Sequence, residues 1–388
     1  MMVRLPLVWA SIFFIAGILV GHFWPSIVWL PLAILTLFII FLCRKRCYVP
    51  DVLTVVFWCL LGAARICTNS LSHHNETNSH TWLTNTQEHM QQRAEHLVIR
   101  LQDAGLEGEP LALSAALLLG QRQLLERNTR QAFSQVGVSH LLALSGMHLG
   151  ILYALLYLLL LRWSRYGPWR WHLLPPTLLL IWGYALLTGL PLSLVRASVM
   201  LSFFTIGMLA EHHQPPIHLL ALSALAILIC SPHALFDIGF QLSFVSVFFI
   251  ILIFMPWRPY LQSMPGHWLW ETIGVSLAAW LGTVPLVAYY FHTLPLTGFL
   301  LSPVLIPLTT VIIYLGLFTL FLPAVMPLAW ILTRIITMQT WIIRQWGALD
   351  CLVIHNLYLS PLIVILIYAL LVIVSLRVKA TLALSSRC

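Results

Sequence analysis

The 388-residue chain is 60% hydrophobic and 8% charged, whereas a soluble globular domain carries about 25% charged residues. This composition excludes a water-soluble protein, because too few charges are present to cover its surface, and it predicts that the lipid bilayer is the main solvent. The formal net charge of +8 is compatible with nucleic-acid binding or with cytoplasmic anchoring charges, and the positions of Lys and Arg decide between these.

Apolar runs that approach the length needed to cross a bilayer, about 20 residues, recur along the whole chain. They predict an all-α, polytopic membrane helical bundle of about 10–12 spans. The predicted spans are Leu5–His22, Ile27–Cys43, Val52–Cys67, His140–Leu161, Leu173–Gly189, Leu194–Ala210, Ile217–Cys230, Leu242–Met255, Ile273–Phe291, Thr297–Leu322, Met326–Trp341 and Leu357–Leu376.

Lys and Arg predict the orientation of the chain, because short cytoplasmic loops are enriched in both residues. With the N-terminus inside and an even number of spans, every basic cluster falls on the cytoplasmic side. These clusters are Arg44–Arg46, the arginines at 162, 165 and 170, Arg258, and Arg377, Lys379 and Arg387 near the C-terminus. We therefore expect both termini in the cytoplasm, and this placement explains the positive charge without nucleic acid.

One long hydrophilic segment, residues 68–138, is predicted on the outer side, between the N-terminal transmembrane helices at 1–67 and the remainder at 139–388. It contains five Arg and seven Asp or Glu residues, so it is not a basic patch for capturing DNA. Thr86–Ala104 has the periodicity of an amphipathic helix that ends at Gly105. Leu111–Leu119 is apolar but too short to span, which predicts a re-entrant or interfacial helix, and Gln121–Val136 is again amphipathic.

The segment Gly137–Gly150 introduces polar residues into an otherwise apolar stretch. Polar groups at membrane depth are costly unless the protein makes use of them. If Ser139–Gly150 forms one helix, then His140, Ser145 and His148 fall within an arc of about 140° and can face one cavity. Two interpretations remain open: these residues line a polar pathway, or the histidines only cap and cross-link helices.

The same segment contains Gly146 and Gly150, four residues apart, which predict a face where another helix approaches closely. No carboxylate accompanies the two histidines, and the seven cysteines show no zinc or disulfide spacing. We therefore expect neither a metal site nor a cofactor.

Arg196 follows the helix-breaking Pro191 at the predicted outer end of a span. An arginine there is compatible with a side chain that extends to the lipid headgroups. It is equally compatible with a contact to a phosphate or carboxylate near a helix N-terminus, where free N–H groups and the helix dipole favour anions.

Asp237 and Gln241 are four residues apart and share one helix face. Asp237 lies on the same predicted side of the membrane as Arg196, so a structural ion pair between them is one interpretation. Pro285 lies deep in a predicted span, where it is expected to kink the helix. A broken helix at that depth is tolerated when it is buried in protein or lines a cavity.

These polar segments, in this order, resemble the competence domain of the ComEC family. The matching segments are Ala115–Gly120 with Gln121, Gly137–Gly150, Gly183–Met200, Asp237–Phe244 and Leu281–Phe291. The resemblance implies a multi-pass channel in the bacterial inner (plasma) membrane that passes single-stranded DNA inward during natural transformation. It also implies that 139–388 is the channel domain. By resemblance, the family's motif positions are occupied by His140, Ser145, His148, Arg196, Gln241 and Pro285. The first five are expected to line the DNA or substrate pathway and to converge on one polar cavity open to the outside, because polar groups left unsatisfied in lipid would be costly.

The chain resembles a short, Bacteroidetes-type member of that family. It is expected to lack the OB-fold domain and the metallo-β-lactamase-like domain that other members carry, since 68–138 has a helical pattern and no H-x-H-x-D-H signature occurs. Besides single-stranded DNA and membrane lipids, the resemblance therefore implies separate partners: a DNA receptor, a nuclease and an ATP-driven motor.

An alternative function remains open, namely transport of a small anionic or lipid-linked solute on a related scaffold. An enzyme is not expected, because the sequence contains no paired carboxylates, no HExxH motif and no nucleophile and base at a catalytic spacing.

Overall fold

The computed structural model of this chain describes residues 6–24, 29, 32–33, 36, 58–66, 81–161, 168–209, 215–322, 326–348, 353–354 and 356–385. The chain forms two compact units. Unit 1 comprises residues 1–86 and 199–244, and unit 2 comprises residues 87–198 and 245–388. Two helices, at 192–209 and 238–249, pass from one unit into the other.

Unit 1 is built from helices α1 (Pro6–Phe23), α2 (58–66) and α10 (Pro216–Cys230), with parts of α9 (Leu192–Leu209) and α11 (Ile238–Phe249). Phe14, Ile18, Leu228 and Phe240 form its buried core. Helices α1 and α2 are in very close contact, because a Cβ added at Gly17 would lie 2.6 Å from the carbonyl carbon of Cys59. Small residues allow this approach of two backbones.

Unit 2 contains most of the helices. In chain order they are most of α3 (Thr81–Asp103), α4 (Gly108–Leu119), α5 (Arg127–Gln135), α6 (Ser139–Leu142), α7 (Gly146–Leu156), α8 (Leu174–Leu187), the start of α9, the end of α11, α12 (Met255–Gln262), α13 (His267–Phe291), α14 (Thr297–Phe321), α15 (Met326–Gly347) and α16 (Pro361–Ser385). Two short strands, β1 (Leu294–Pro295) and β2 (Val353–Ile354), pair antiparallel.

The all-α membrane bundle expected from the sequence is confirmed. Within the described residues, five helices are long and apolar enough to cross a membrane: Leu192–Leu209, Ile238–Gln262, His267–Phe291, Thr297–Phe321 and Pro361–Lys379. Five further apolar helices are shorter: Val8–Phe23, Gly108–Leu119, Gly146–Leu159, Trp171–Leu187 and Pro216–Cys230. Most of the predicted span Ile27–Cys43 lies outside the described residues, and the predicted span Val52–Cys67 is described only over helix α2 (58–66).

Helix α15 covers the predicted span Met326–Trp341, which stays a prediction, and it is not among the five helices with the length and apolar composition of a span. It carries Arg334 and Arg344 and packs along α14. Arg344 pairs with Glu109 of α4 at 2.7 Å, and Thr129 of α5 donates to the same carboxylate at 2.7 Å. One face of α15 is therefore polar, and this ion pair joins three helices of unit 2.

The segment 68–138, predicted on the outer side, contains the short apolar helix that the sequence predicts. This helix, α4, is 12 residues long, and its residues from Leu113 to Leu119 are buried against α14 and α15. The amphipathic helix predicted at Thr86–Ala104 is also present as part of α3, and Gly105 follows it with φ 98°. The segment Gln121–Val136 is divided into a 3-10 turn at Arg122–Leu124 and the helix α5.

Candidate functional site

The start of helix α7 is the centre of the candidate site. The prediction that Ser139–Gly150 forms one helix is wrong, because the helix stops at Leu142 and a new one begins at Gly146. The backbone between them is extended, with φ −75° and ψ 125° at Ala143 and φ −122° and ψ 172° at Ser145. A serine favours such an extended position before a helix, where it can cap the helix. The arc of about 140° calculated for a continuous helix therefore does not apply.

Ser145 and His148 form a capping box at this helix start. Nδ1 of His148 accepts a hydrogen bond from the backbone N–H of Ser145 at 3.3 Å, and the Ser145 hydroxyl lies 3.3 Å from the same nitrogen. Because Nδ1 acts as an acceptor, a neutral His148 ring carries its proton on Nε2. His148 is only 1% exposed, and Nε2 has no hydrogen-bond partner among the described residues. A buried N–H donor is therefore available at the start of α7.

The first turn of helix α9 packs directly against this break. The hydroxyl of Ser193 donates to the carbonyl of Leu144 at 2.6 Å, and a Cβ at Gly146 would lie 3.2 Å from Cβ of Ala197. Arg196 lies between Ser193 and Ala197 on the same helix face, since residues three and four apart are neighbours on a helix surface. We call this arrangement of residues 143–148 and 193–197 the helix-start junction.

Arg196 is 8% exposed. Such burial does not fit an arginine that extends along the protein surface to lipid headgroups, as one of the two interpretations of the sequence proposed. A buried guanidinium requires compensating hydrogen bonds or charges around it. The position of Arg196 in the first turn of α9 leaves the interpretation as an anion contact open.

The helix-start junction has a positive electrostatic character. Two helices, α7 and α9, begin there, and each helix N-terminus carries a partial positive charge with free N–H groups. Arg122 is close enough to His148 to interact with it electrostatically, and it is exposed, as is His140. Desolvation lowers the pKa of the Arg122 guanidinium from its usual value, but an arginine remains charged at neutral pH. The junction therefore favours an anion.

Gln121 and its neighbours form a part of the site that sequence reasoning did not select. Gly120 follows α4 with φ 77°, and a Cβ there would lie 2.6 Å from a methyl carbon of Leu144 in the junction. The hydroxyl of Tyr184 in α8 donates to the carbonyl of Leu118 at 3.0 Å. The loop Gly120–Arg122 is thus fixed between α8 and the junction, and it borders a cavity of about 290 Å³.

Asp237 and Gln241 form hydrogen bonds at the start of helix α11. Asp237 caps helix α11, because its Oδ2 accepts from the backbone N–H of Phe240 at 2.9 Å. The amide of Gln241 donates to the carbonyl of Leu235 at 3.0 Å. Both residues belong to unit 1, whereas His140, Ser145, His148 and Arg196 belong to unit 2. The convergence of all five pathway residues on one cavity, and the pairing of Asp237 with Arg196, stay predictions.

Pro285 lies inside α13, which continues through it from His267 to Phe291. The proline cannot donate a backbone hydrogen bond to the preceding turn. Close by, Tyr368 of α16 donates its hydroxyl to the carbonyl of Gly282 at 2.8 Å. Across the described parts of the chain, no group of three His, Cys, Asp or Glu side chains is placed to hold a metal ion.

The two glycines of α7 differ in their surroundings, and this leads to a test. A Cβ at Gly146 would meet Ala197 at 3.2 Å, whereas a Cβ at Gly150 would meet nothing within 4 Å. We expect Gly146→Leu to lower the free energy of unfolding by about 1–3 kcal/mol through overpacking, and Gly150→Leu to change it by less than about 0.5 kcal/mol. Thermal unfolding of the detergent-solubilised protein measures both, with Met147→Leu as the control. Equal sensitivity at both glycines would contradict this packing.

The chain matches a protein-family model described as "Competence protein" over residues 117–381. It is 32% identical over 222 residues to ComE operon protein 3 of Bacillus subtilis, covering 56% of this chain and 27% of that protein. It is also 27% identical over 230 residues to Recombination protein 2 of Haemophilus influenzae, covering 56% of this chain and 29% of that protein.

An uncharacterized protein of Aquifex aeolicus is 30% identical over 198 residues, which is 51% of this chain and 44% of that protein. The chain thus matches less than half the length of each of these relatives. No solved structure matches the chain. The region of the chain that matches the family model contains the helix-start junction, the loop Gly120–Arg122, the helices α7 to α15 and most of α16.

Proposed function

Because the chain belongs to the competence protein family, we propose that it forms the inner-membrane channel that passes single-stranded DNA into the cell during natural transformation. The observation that carries this proposal is the helix-start junction, which combines two helix N-termini with a buried arginine and a buried imidazole donor inside the matched region. The chain is a multi-pass membrane protein, and in this proposal the junction lies on the route of the polar strand through it.

The junction provides the groups that bind a phosphodiester. A guanidinium stays charged and offers a planar pair of N–H donors that matches two phosphate oxygens. In this proposal Arg196 supplies that pair, Nε2–H of His148 adds a third donor, and the N-termini of α7 and α9 add free backbone N–H groups. Ser145 fixes the ring of His148 in the tautomer that donates. Arg122, which is exposed, attracts the strand to the site.

The proposed DNA uptake pathway also requires separate partner proteins. By the resemblance of its motifs to the ComEC family, the chain would receive DNA from a separate receptor, after a nuclease has degraded one strand. An ATP-driven motor on the cytoplasmic side would pull the other strand inward. Membrane lipids surround the bundle, as the apolar surfaces of its helices require.

The proposal is tested by deleting the gene and scoring two results separately in the same cells. One is protection of labelled external DNA inside the cell, and the other is the number of transformants. We expect both to fall to background and to return when the intact chain is supplied in trans. Normal entry of labelled DNA in the deletion strain would refute the channel role.

A second candidate function follows from the same proposed anion chemistry, because a site for one phosphate group does not require a polymer. Transport of a small anionic or lipid-linked solute would then be the activity. In that case the deletion would leave DNA entry unchanged and would alter uptake of a radiolabelled phosphate ester into membrane vesicles. This pair of results distinguishes the two functions.

We also propose that both termini face the cytoplasm, on the basis of the Lys and Arg distribution. Reporter fusions at Ser164 and at Glu76 are expected to give opposite results: activity of a cytoplasmic reporter at Ser164 and of an exported reporter at Glu76. The measurement is the activity ratio of alkaline phosphatase to β-galactosidase at each site. The same ratio at both sites would overturn this topology.

A further inference from the structure

The cavity of about 290 Å³ lies where two helices of unit 2 end. Helix α4 ends at Leu119 and α8 ends at Leu187, and each is followed within two residues by a glycine in the left-handed region, Gly120 with φ 77° and Gly189 with φ 82°. Helix α3 closes the cavity on another side through Gln91. The cavity borders the loop Gly120–Arg122, which also contacts the helix-start junction. This short loop therefore lies between the cavity and the junction.

Every polar side chain that lines this cavity is uncharged: Gln91, Gln121, Gln123 and Thr188. Gln121 is 8% exposed, and its Oε1 accepts a hydrogen bond from the amide of Gln123. The side chain of Gln91 is exposed and forms no hydrogen bond with the described part of the chain, so its amide is available to a ligand. A glutamine amide presents a donor and an acceptor side by side, which matches the paired donor and acceptor atoms on the edge of a nucleobase.

The helix ends give the cavity an electrostatic character opposite to that of the junction. The C-terminus of a helix carries a partial negative charge. Several of the last carbonyls already accept hydrogen bonds from the residues that follow, namely those of Ala115 and Ala116 in α4 and of Tyr184, Ala185 and Leu186 in α8, so the partial charge of the helix ends is what acts on a ligand here. Two such ends, those of α4 and α8, border this cavity, so it favours a ligand rich in N–H donors. No carboxylate is among the residues that line it, and Ala94, Leu119 and Leu187 form apolar walls. These walls and the volume fit a flat organic group better than a metal cation, which requires oxygen ligands on several sides.

We propose that this cavity binds one nucleobase of the translocated strand and prefers bases that carry an exocyclic amine. This inference rests on the proposed function, since it assumes that single-stranded DNA is the substrate. The bases of a single strand are unstacked and can be turned outward into a protein pocket. The phosphate at the junction and the base in the cavity then contact opposite sides of the same stretch of strand, because the loop Gly120–Arg122 lies between the two sites.

The test uses the full chain in lipid nanodiscs and fluorescent 12-mers of deoxycytidine, of thymidine and of an abasic phosphodiester. Cytosine and thymine have the same ring size, but only cytosine has an exocyclic amine. We expect the deoxycytidine strand to bind about 3- to 10-fold more tightly than the other two, the range for one or two hydrogen bonds. Gln91→Leu and Thr188→Val should remove this preference. Gln92→Leu, at the exposed neighbouring position on α3, should leave it unchanged.

Each other outcome has a distinct meaning. Equal binding of all three strands would overturn the base site and leave the proposed function intact. Binding of none would refute the proposed function, and the base site with it. A loss of preference in Gln92→Leu as large as in Gln91→Leu would show that the preference arises outside this cavity, and would overturn its assignment.

Discussion

Replacing Arg196 by alanine is expected to lower DNA entry by about 10- to 100-fold or more, while the protein remains in the membrane. The reason is that a hydrogen bond to a charged group contributes about 1.5–3 kcal/mol, and a bidentate contact makes two of them. Arg196→Lys keeps the charge but loses the planar pair of donors, so entry should fall to an intermediate level. The measurement is uptake of labelled DNA per cell, normalised to the amount of the chain in isolated membranes.

Arg258→Ala is the matched control, because it removes the same charge from an exposed position, where Arg258 pairs with Glu271 at 3.5 Å. It should leave uptake near the wild-type level. Arg196 is buried, so its replacement can also disturb folding. Loss of uptake is attributed to the lost phosphate contact only if the variant reaches the wild-type amount in the membrane and unfolds at the wild-type temperature. Wild-type uptake by Arg196→Ala would refute the phosphate contact. Equally reduced uptake by the Lys and Ala variants would also refute the phosphate contact, because the proposed role depends on charge.

Gly17→Ala is expected to disrupt the packing of unit 1. The added Cβ would lie 2.6 Å from the carbonyl carbon and 2.8 Å from the Cα of Cys59, which are backbone atoms that cannot rotate away. The helices would have to separate, at about 3 kcal/mol, the upper end of what overpacking usually costs. A lower midpoint of thermal unfolding and a reduced amount of protein in the membrane are the expected results.

The control for this substitution is Gly183→Ala in α8, because a Cβ there meets nothing within 4 Å. An alanine in a helix interior is favoured over glycine by up to about 1 kcal/mol, so this variant should be as stable as the wild type or slightly more stable. If Gly17→Ala unfolds at the same temperature as Gly183→Ala, then α1 and α2 are not in backbone contact.

The apolar composition was sufficient to predict a helical membrane protein, and segment length was sufficient to identify α4. A stretch the size of Leu111–Leu119 cannot cross a bilayer in any packing arrangement. The glycine at 105 likewise marked the end of α3 correctly, because a left-handed residue ends a helix locally. These are properties of single segments, and single segments can be interpreted without knowing their neighbours.

The break before Gly146 was missed for a physical reason. Residue periodicity predicts one helix over Ser139–Gly150. It takes no account of the fact that a serine such as Ser145 is more favourable at a helix N-cap than in a helix interior. The cap also depends on the imidazole of His148, three residues later. The cavity was missed because Gln91, Gln121 and Thr188 come from three distant segments, which only the folded chain brings together.

The helix-start junction lies at the N-termini of two helices, and the cavity beyond the loop Gly120–Arg122 lies at the C-termini of two others. We therefore expect the ligand affinity of the two sites to depend differently on ionic strength. Contacts between cations and phosphates release condensed counterions, so their affinity falls steeply as salt is added. Hydrogen bonds from uncharged amides such as Gln91 are not screened in this way. At low salt the junction should dominate binding, whereas at high salt the total affinity falls but the discrimination between bases persists. Salt titration thus separates attachment to the backbone of the strand from recognition of its bases.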